Sequence, residues 1–384
     1  MRVHEQKSGL IRSPKLIWDI LFSGCYDFVY DLMSIGTRKM SIWKRLNLLK
    51  AGSNFIYRRL KPLNMPLHMQ FELTNFCNLK CPVCPTGLGA LNRKPQVMDV
   101  DLFRRVIEEV GPYLLTASLW GWGEPLLHPH LSEILKAIGK YPVATFLSTN
   151  GQNLDDDRVI DALVNYPPTY LIIAIDGLTD ETNSQYRVDA KLAPVLNGVQ
   201  RLVEIKKQRA IEFPILHMRS IVMKHNQHEL PYLQGFAEKH SFDLLTIRTL
   251  SIIDSEDPDT VHGGFVPDVS EFRAYDYHDD ERVRRGDYIC QEPFWFPTVF
   301  VDGTLVACEQ DYNAQQPMGK IIQDTSFRDV WFGKQAKQVR GIIRDASETV
   351  SFCKNCPYSD RPVTDCSVKA IHVHPGVRDP VIVS

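Results

Sequence analysis

The chain has 384 residues, 44% of them apolar, with 44 Lys or Arg against 46 Asp or Glu and a formal charge of -2. That length and apolar content exclude a disordered chain and supply a barrel-sized core plus one or two appendages, while the near-neutral charge argues against nucleic acid as a partner. No apolar run reaches the ~20 residues of a membrane span, and the run at 16–22 lacks a cleavage site, so the cytosol is expected. There the nine cysteines read as metal ligands rather than disulfides.

Residues 1–66 read as a basic, amphipathic helical extension. Residues 1–68 hold twelve Lys or Arg against four Asp or Glu. Ile17, Leu21, Phe28 and Leu32 share one helical stripe and Ile42, Leu46, Leu49, Ile56 and Leu60 a second, with Lys44, Arg45, Lys50, Arg58 and Arg59 outside it. Helices are expected throughout 14–60, packed on the next domain. The alternative is contact of 14–60 with a partner or an anionic membrane surface, at its inner face. Pro62 and Pro66 close the segment.

From 67 to 250 strand-like and helix-like stretches alternate. Strands are expected at Met69–Thr74, Ala117–Trp122, Ala144–Thr149, Tyr170–Ile175, Leu216–Met223 and Leu244–Leu250, with helices at Asp101–Val110, Leu131–Ile138, Arg158–Val164, Pro194–Lys207 and His228–Lys239. Repeated β/α units imply a parallel sheet with right-handed crossovers, doubly wound or curled into part of a barrel, and catalytic groups at the strands' carboxyl ends. Residues 251–289 read as an acidic connecting loop, and 290–384 as a second, cysteine-bearing module.

Cys77, Cys81 and Cys84 follow the first of these strands directly. Thiolates at spacings of three and two can wrap one face of a cubane and leave one iron open; structural zinc is the alternative, although the next histidine is His128. Cys-x3-Cys-x2-Cys ahead of repeated β/α units resembles the radical S-adenosylmethionine (SAM) superfamily. The resemblance implies an α/β fold, a partial (β/α)6 TIM-like barrel. It also implies a [4Fe–4S] cluster on these three thiols whose open iron chelates SAM, and reductive cleavage to a 5'-deoxyadenosyl radical that takes hydrogen from substrate. An electron donor such as flavodoxin or ferredoxin is implied as well.

Further motifs recur in the family's order. Gly121-Trp122-Gly123-Glu124-Pro125 resembles the element that receives the methionine ammonium, here with Trp122 among its glycines. Ser148 and Asn150 after the third strand, and Asp176 after the fourth, resemble the ribose and substrate sides; Arg187 and Asn226 stand where relatives contact the SAM carboxylate or adenosine. Ala174 replaces a frequent serine.

Cys290, Cys308, Cys353 and Cys356, with a hairpin expected at Phe296–Phe300 and Thr304–Ala307, resemble the SPASM and twitch auxiliary-cluster modules. The dense cysteine run of a full SPASM module is missing, which implies one [4Fe–4S] cluster ligated by these four thiols, with Cys366 spare and zinc as the alternative. A fully ligated cluster suits accepting an electron, and so a net oxidation. Glu309, Asp311, Tyr312 and Asp254 are base candidates by location. Peptide-modifying relatives commonly carry a leader-binding domain with a three-stranded sheet; helices throughout 14–60 therefore favour a small-molecule, glycan or lipid-linked substrate over a ribosomal peptide. A non-catalytic zinc-stabilised binding protein is the reading from another class.

Overall fold

The computed structural model describes residues 14–251, 264–274, 276–278, 281–283, 288–354, 356, 358, 367–374, 376 and 379–383. A short helix (Pro14–Trp18) and a π-helical turn (Asp19–Ser23) lead into a hairpin, β1 (Tyr26–Tyr30) and β2 (Met33–Arg38). Asp31 and Leu32 close it with φ of 52° and 64°; two left-handed residues give the loop a twist that matches its strands. The hairpin corrects the expectation of helix throughout 14–60. Phe28 and Leu32 lie four residues apart, a spacing that keeps to one face in helix and strand alike. The aromatic run Tyr26–Tyr30 takes the strand, burying alternate residues Tyr26 and Phe28.

The helix Ile42–Tyr57 forms where its periodicity places it, but with its faces reversed. Ile42, Leu46 and Ile56 are exposed, whereas Lys44, Asn47, Leu48, Ala51 and Asn54 are buried. Polar partners explain the rotation: Asn47 Nδ2 donates to Met65 O (3.1 Å), Met65 N donates to Asn47 Oδ1 (2.8 Å), and Lys44 Nζ donates to Pro142 O (2.5 Å). Burial pulls the Lys44 ammonium down from 10.5 to about 8. Between those values the unfolded chain binds the extra proton, so stability rises with pH across that window. Lys44→Met is expected to gain on the order of 2 kcal/mol at neutral pH and to lose the rise. Urea unfolding of both proteins at neutral and alkaline pH checks this; an unchanged slope would contradict it.

Strands β3 (His68–Phe71), β4 (Thr116–Ser118), β5 (Ala144–Thr149), β6 (Tyr170–Ala174), β7 (Ile215–Val222) and β8 (Leu244–Thr249) pair in parallel in chain order. Helices Val100–Val110, Leu131–Ile138, Asp157–Asn165, Leu192–Arg209 and Leu233–Lys239 alternate with them, as the periodicity implies. Within 251–289, β9 (Asp276–His278) and β10 (Glu281–Val283) form a separate ribbon; Asp254 lies outside the described residues.

The sheet does not close into a full barrel. On the β3 edge it continues through β11 (Thr298–Val299), β12 (Thr304–Val306) and β13 (Pro317–Lys320), so the expected cysteine-bearing hairpin is an extension of the same sheet. On the β8 edge it takes β14 (Ser367–His372), antiparallel. β15 (Val381–Val383) pairs with β2 and completes a three-stranded sheet, β1-β2-β15. Tyr26, Phe28, Met33 and Ile35 of the hairpin pack with Leu67, Leu115, Ala144, Tyr170, Ile215 and Leu244, at the amino ends of the six parallel strands. The extension thus plugs that end and leaves the carboxyl ends to chemistry. Among the described residues no helix is long and apolar enough to cross a membrane.

Candidate active site

The loop after β3 carries Cys77, Cys81 and Cys84 to the carboxyl end of the sheet, where they line a cavity of about 300 Å³. Cys77 Sγ accepts from Leu79 N (3.4 Å) and Asn150 Nδ2 (3.5 Å), and Arg187 Nη1 lies 4.0 Å from Cys81 Sγ. Gly87 lets the loop fold back, since a Cβ there would stand 2.3 Å from Cys81 O. Burial pushes the Cys77 thiol up to about 11 and raises Cys81, against the pull of Arg187. Thiols held protonated by burial ionise when a cationic iron–sulfur core pairs with them. Among the described residues no three Cys, His, Asp or Glu side chains are grouped to hold one metal ion; a cubane, by contrast, spreads its thiolates over separate irons.

The turn after β4 is built against this loop. A Cβ on Gly123 would meet Thr74 O at 2.4 Å and one on Gly121 would meet Glu72 Cγ at 2.7 Å, so both positions need glycine. Glu124 lines the cavity with its carboxylate held by Thr149 Oγ1 (2.6 Å), Leu126 N (2.9 Å) and Asn150 N (2.8 Å). Pro125 is buried at the start of the turn Pro125–Leu127 and does not reach the cavity lining, while Gly123, Ser148, Asn150 and Arg187 do. Asp176 and Asn226 sit behind that wall. Asp176 Oδ2 accepts from Arg187 Nε (2.6 Å) and its Oδ1 from Ile221 N (2.7 Å), and Asn226 Nδ2 donates to Asp176 O (2.8 Å). Their geometry is that of supports for Arg187.

Of the four base candidates, the three among the described residues separate clearly. Asp311 is buried and spends both carboxylate oxygens on Gln315 N (2.6 Å) and Gln316 N (2.8 Å), capping a turn; burial pushes it up to about 6. Tyr312 gives its carbonyl to Arg93 Nε (2.7 Å) and sets its ring edge-on to Trp122 at 5.9 Å. Only Glu309 of the three lines the cavity, where Tyr358 Oη donates to its Oε1 (3.1 Å). Trp122, in its unusual place among the glycines, donates Nε1 to Glu309 O (2.9 Å) and so spans from the thiol loop's cavity to the cysteine-bearing module.

Arg219 and Arg248 were not placed by spacing, and both line the cavity. Arg219 pairs with Asp31 at the hairpin tip; Arg248 Nη1 stands 3.6 Å from Asp31 Oδ2, and Ser367 Oγ donates to Asp31 Oδ1 (2.6 Å). A charged residue inside the buried run Leu216–Met223 was the signal for Arg219, because parallel strands covered on both faces rarely carry one.

In the second module burial raises the pKa of the Cys290, Cys308 and Cys353 thiols, and the nearby Cys356 adds to each rise; Cys353 is pushed up to about 12. Four thiols fit a fully ligated cluster. Arg340 docks the module: buried, it donates to Pro293 O (2.9 Å), Trp331 O (2.9 Å) and Leu60 O (3.3 Å). Cys366 lies outside the described residues.

Residues 71–225 match the radical SAM superfamily, so the chain carries a radical SAM domain. Residues 290–357 match the SPASM iron–sulfur cluster-binding domain. These domains imply SAM, a SAM-binding [4Fe–4S] cluster and auxiliary iron–sulfur binding. The tungsten-containing aldehyde ferredoxin oxidoreductase cofactor-modifying protein of Pyrococcus furiosus is 25% identical, over 48% of this chain and 51% of its own length. The antilisterial bacteriocin subtilosin biosynthesis protein AlbA of Bacillus subtilis is 27% identical, over 49% and 41%. The chain spans about half the length of these two relatives. In fold it is similar to Streptococcus suis SuiB, solved bound to the precursor peptide SuiA, with a TM-score of 0.56, 15% identity, and coverage of 84% of this chain and 76% of that one.

Proposed function

We propose that the chain catalyses a radical oxidation of a peptide, with the cavity at the carboxyl ends of β3–β8 as the active site. The observation that carries this reading is one shared wall: Glu309, Gln310 and Tyr358 of the second module line the same cavity as Cys77, Cys81 and Cys84. When bound, the three-thiol cluster and SAM supply a carbon-centred radical that removes one hydrogen atom from the substrate. Glu124 and Arg187 hold the amino acid part of SAM. Glu309 takes the proton from the substrate radical; Cys290, Cys308, Cys353 and Cys356 would hold one auxiliary cluster, which would supply an acceptor for the remaining electron. The substrate thereby loses two protons and two electrons, and an external donor such as a ferredoxin or flavodoxin supplies the electron that cleaves SAM.

Two points favour a peptide over a sugar or lipid-linked substrate. The expectation of an all-helical N-terminal segment, which spoke against a peptide, fails at the β1-β2-β15 sheet. Relatives are named for bacteriocin biosynthesis and mycofactocin maturation. With SAM and dithionite, deuterium should pass from a deuterated peptide library into 5'-deoxyadenosine; transfer only from sugars would overturn the substrate class. Cys308→Ala and Glu309→Gln should still cleave SAM, while product formation falls about 10²–10⁴-fold for Glu309→Gln and stops for Cys308→Ala. Unchanged product formation in Cys308→Ala would rule out the electron-acceptor role.

A further inference from the structure

The reversed helix Ile42–Tyr57 leaves an apolar face uncovered. Trp43 is 63% exposed, Ile42 53% and Leu46 37%, and Tyr57 near its end is 64% exposed. The preceding turn adds Trp18 and Phe22, 60% and 63% exposed, with ring centroids 4.2 Å apart. Arg45 ties turn and helix together, donating Nη1 to Leu21 O (2.9 Å) and Nε to Met40 O (2.6 Å). Large apolar side chains clustered on a surface mark an interaction site. Elsewhere among the described residues exposed ones such as Leu88, Tyr232 and Ile322 stand singly.

Charge identifies the occupant. Exposed Lys15 lies one helical turn before Trp18, exposed Lys39 precedes the helix, and exposed Lys50 lies one turn beyond Leu46. Against these three lysines stands Asp19, half-buried next to Trp18; of the other carboxylates of the extension, Asp27 pairs with Arg38 and Asp31 with Arg219. Tryptophan and aliphatic side chains rimmed by lysines match the boundary between headgroups and acyl chains of an anionic bilayer, where indole rings settle and ammonium groups meet phosphates. A soluble protein partner would account for the apolar side chains but not for the basic excess of three exposed lysines over the half-buried Asp19.

We propose that this face, centred on Trp18, Trp43 and Leu46, docks the chain on an anionic lipid surface. Lys44 reaches Pro142 O, just before β5, so the docking face lies at the amino ends of the strands. The cavity opens at the other end, away from the lipid, and stays accessible to substrate and reductant.

Flotation of the cluster-loaded full chain tests this without reference to catalysis. It should float with phosphatidylcholine–phosphatidylglycerol vesicles and not with phosphatidylcholine alone, lose much of that binding in high salt, and show tryptophan quenching by brominated acyl chains. A Trp43→Ser/Leu46→Ser variant should bind at least about tenfold more weakly with its thermal unfolding unchanged. A chain that stays at the bottom with anionic vesicles overturns the proposal, as does a double variant that floats like the parent. Sedimentation that finds a dimer which the double variant splits assigns the face to a second copy instead, and also overturns it.

Discussion

Cys81→Ala is expected to reduce 5'-deoxyadenosine release, with SAM and dithionite, to the level seen without enzyme. Among the three thiols of the loop Cys81 is the buried one, 7% exposed, and it lies beside Arg187 on the cavity wall. Removing it leaves two protein thiols for a cluster that needs three and opens its place to water. Anaerobic analysis should find about four irons and four sulfides fewer per chain, while the set at Cys290–Cys356 keeps its own. Retention of that second set shows that the chain is still folded, which separates loss of chemistry from loss of structure. Release of 5'-deoxyadenosine by the variant, or zinc without sulfide in the parent, would refute the assignment of these thiols.

Spacing alone carried the three-thiol loop and the alternation of strands and helices, because both are written locally. A thiol motif needs only a few consecutive residues, and a doubly covered parallel strand must be aliphatic along its length. What spacing could not carry depends on partners far away in the chain. Phe28 and Leu32 satisfy two periodicities, and only burial against the amino ends of β3–β8 selects the strand. The helix Ile42–Tyr57 has the expected bounds, yet Asn47 and Met65, with Lys44 and Pro142, turn its polar side inward. Proximity to Cys308 singled out Glu309 and Asp311 equally. Their roles divide only in three dimensions, where Asp311 caps a turn and Glu309 faces the cavity.

The docking of the two modules rests heavily on one buried ion pair, and breaking it is expected to cost about 3–5 kcal/mol. Glu72, just after β3, is fully buried, and Arg93 holds both its oxygens at 2.6 Å. Val301 N (3.3 Å) and Trp122 N (3.4 Å) also donate to Glu72, while Arg93 donates Nε to Tyr312 O (2.7 Å) and stacks its guanidinium 3.9 Å from the Phe300 ring centre. The pair therefore links the thiol loop, the glycine turn and the second module's hairpin. In Arg93→Ala the Glu72 carboxylate is stranded in the core. Burial already raises the pKa of the Glu72 carboxyl from the ordinary value, and Arg93 is the main group opposing that. Without Arg93 it rises further, so the folded variant keeps a proton that the unfolded chain gives up; its stability is then fullest below the unfolded carboxylate range and falls as pH rises toward neutrality. Denaturant unfolding should thus show a larger deficit at pH 8 than at pH 5. Glu72→Leu/Arg93→Met should recover most of the loss, since no charge is left buried. Arg104→Ala is the control: it breaks solvent-exposed pairs with Asp101 and Glu133 and should leave stability almost unchanged. If Arg93→Ala proves as mild as Arg104→Ala, the pair does not hold the modules together.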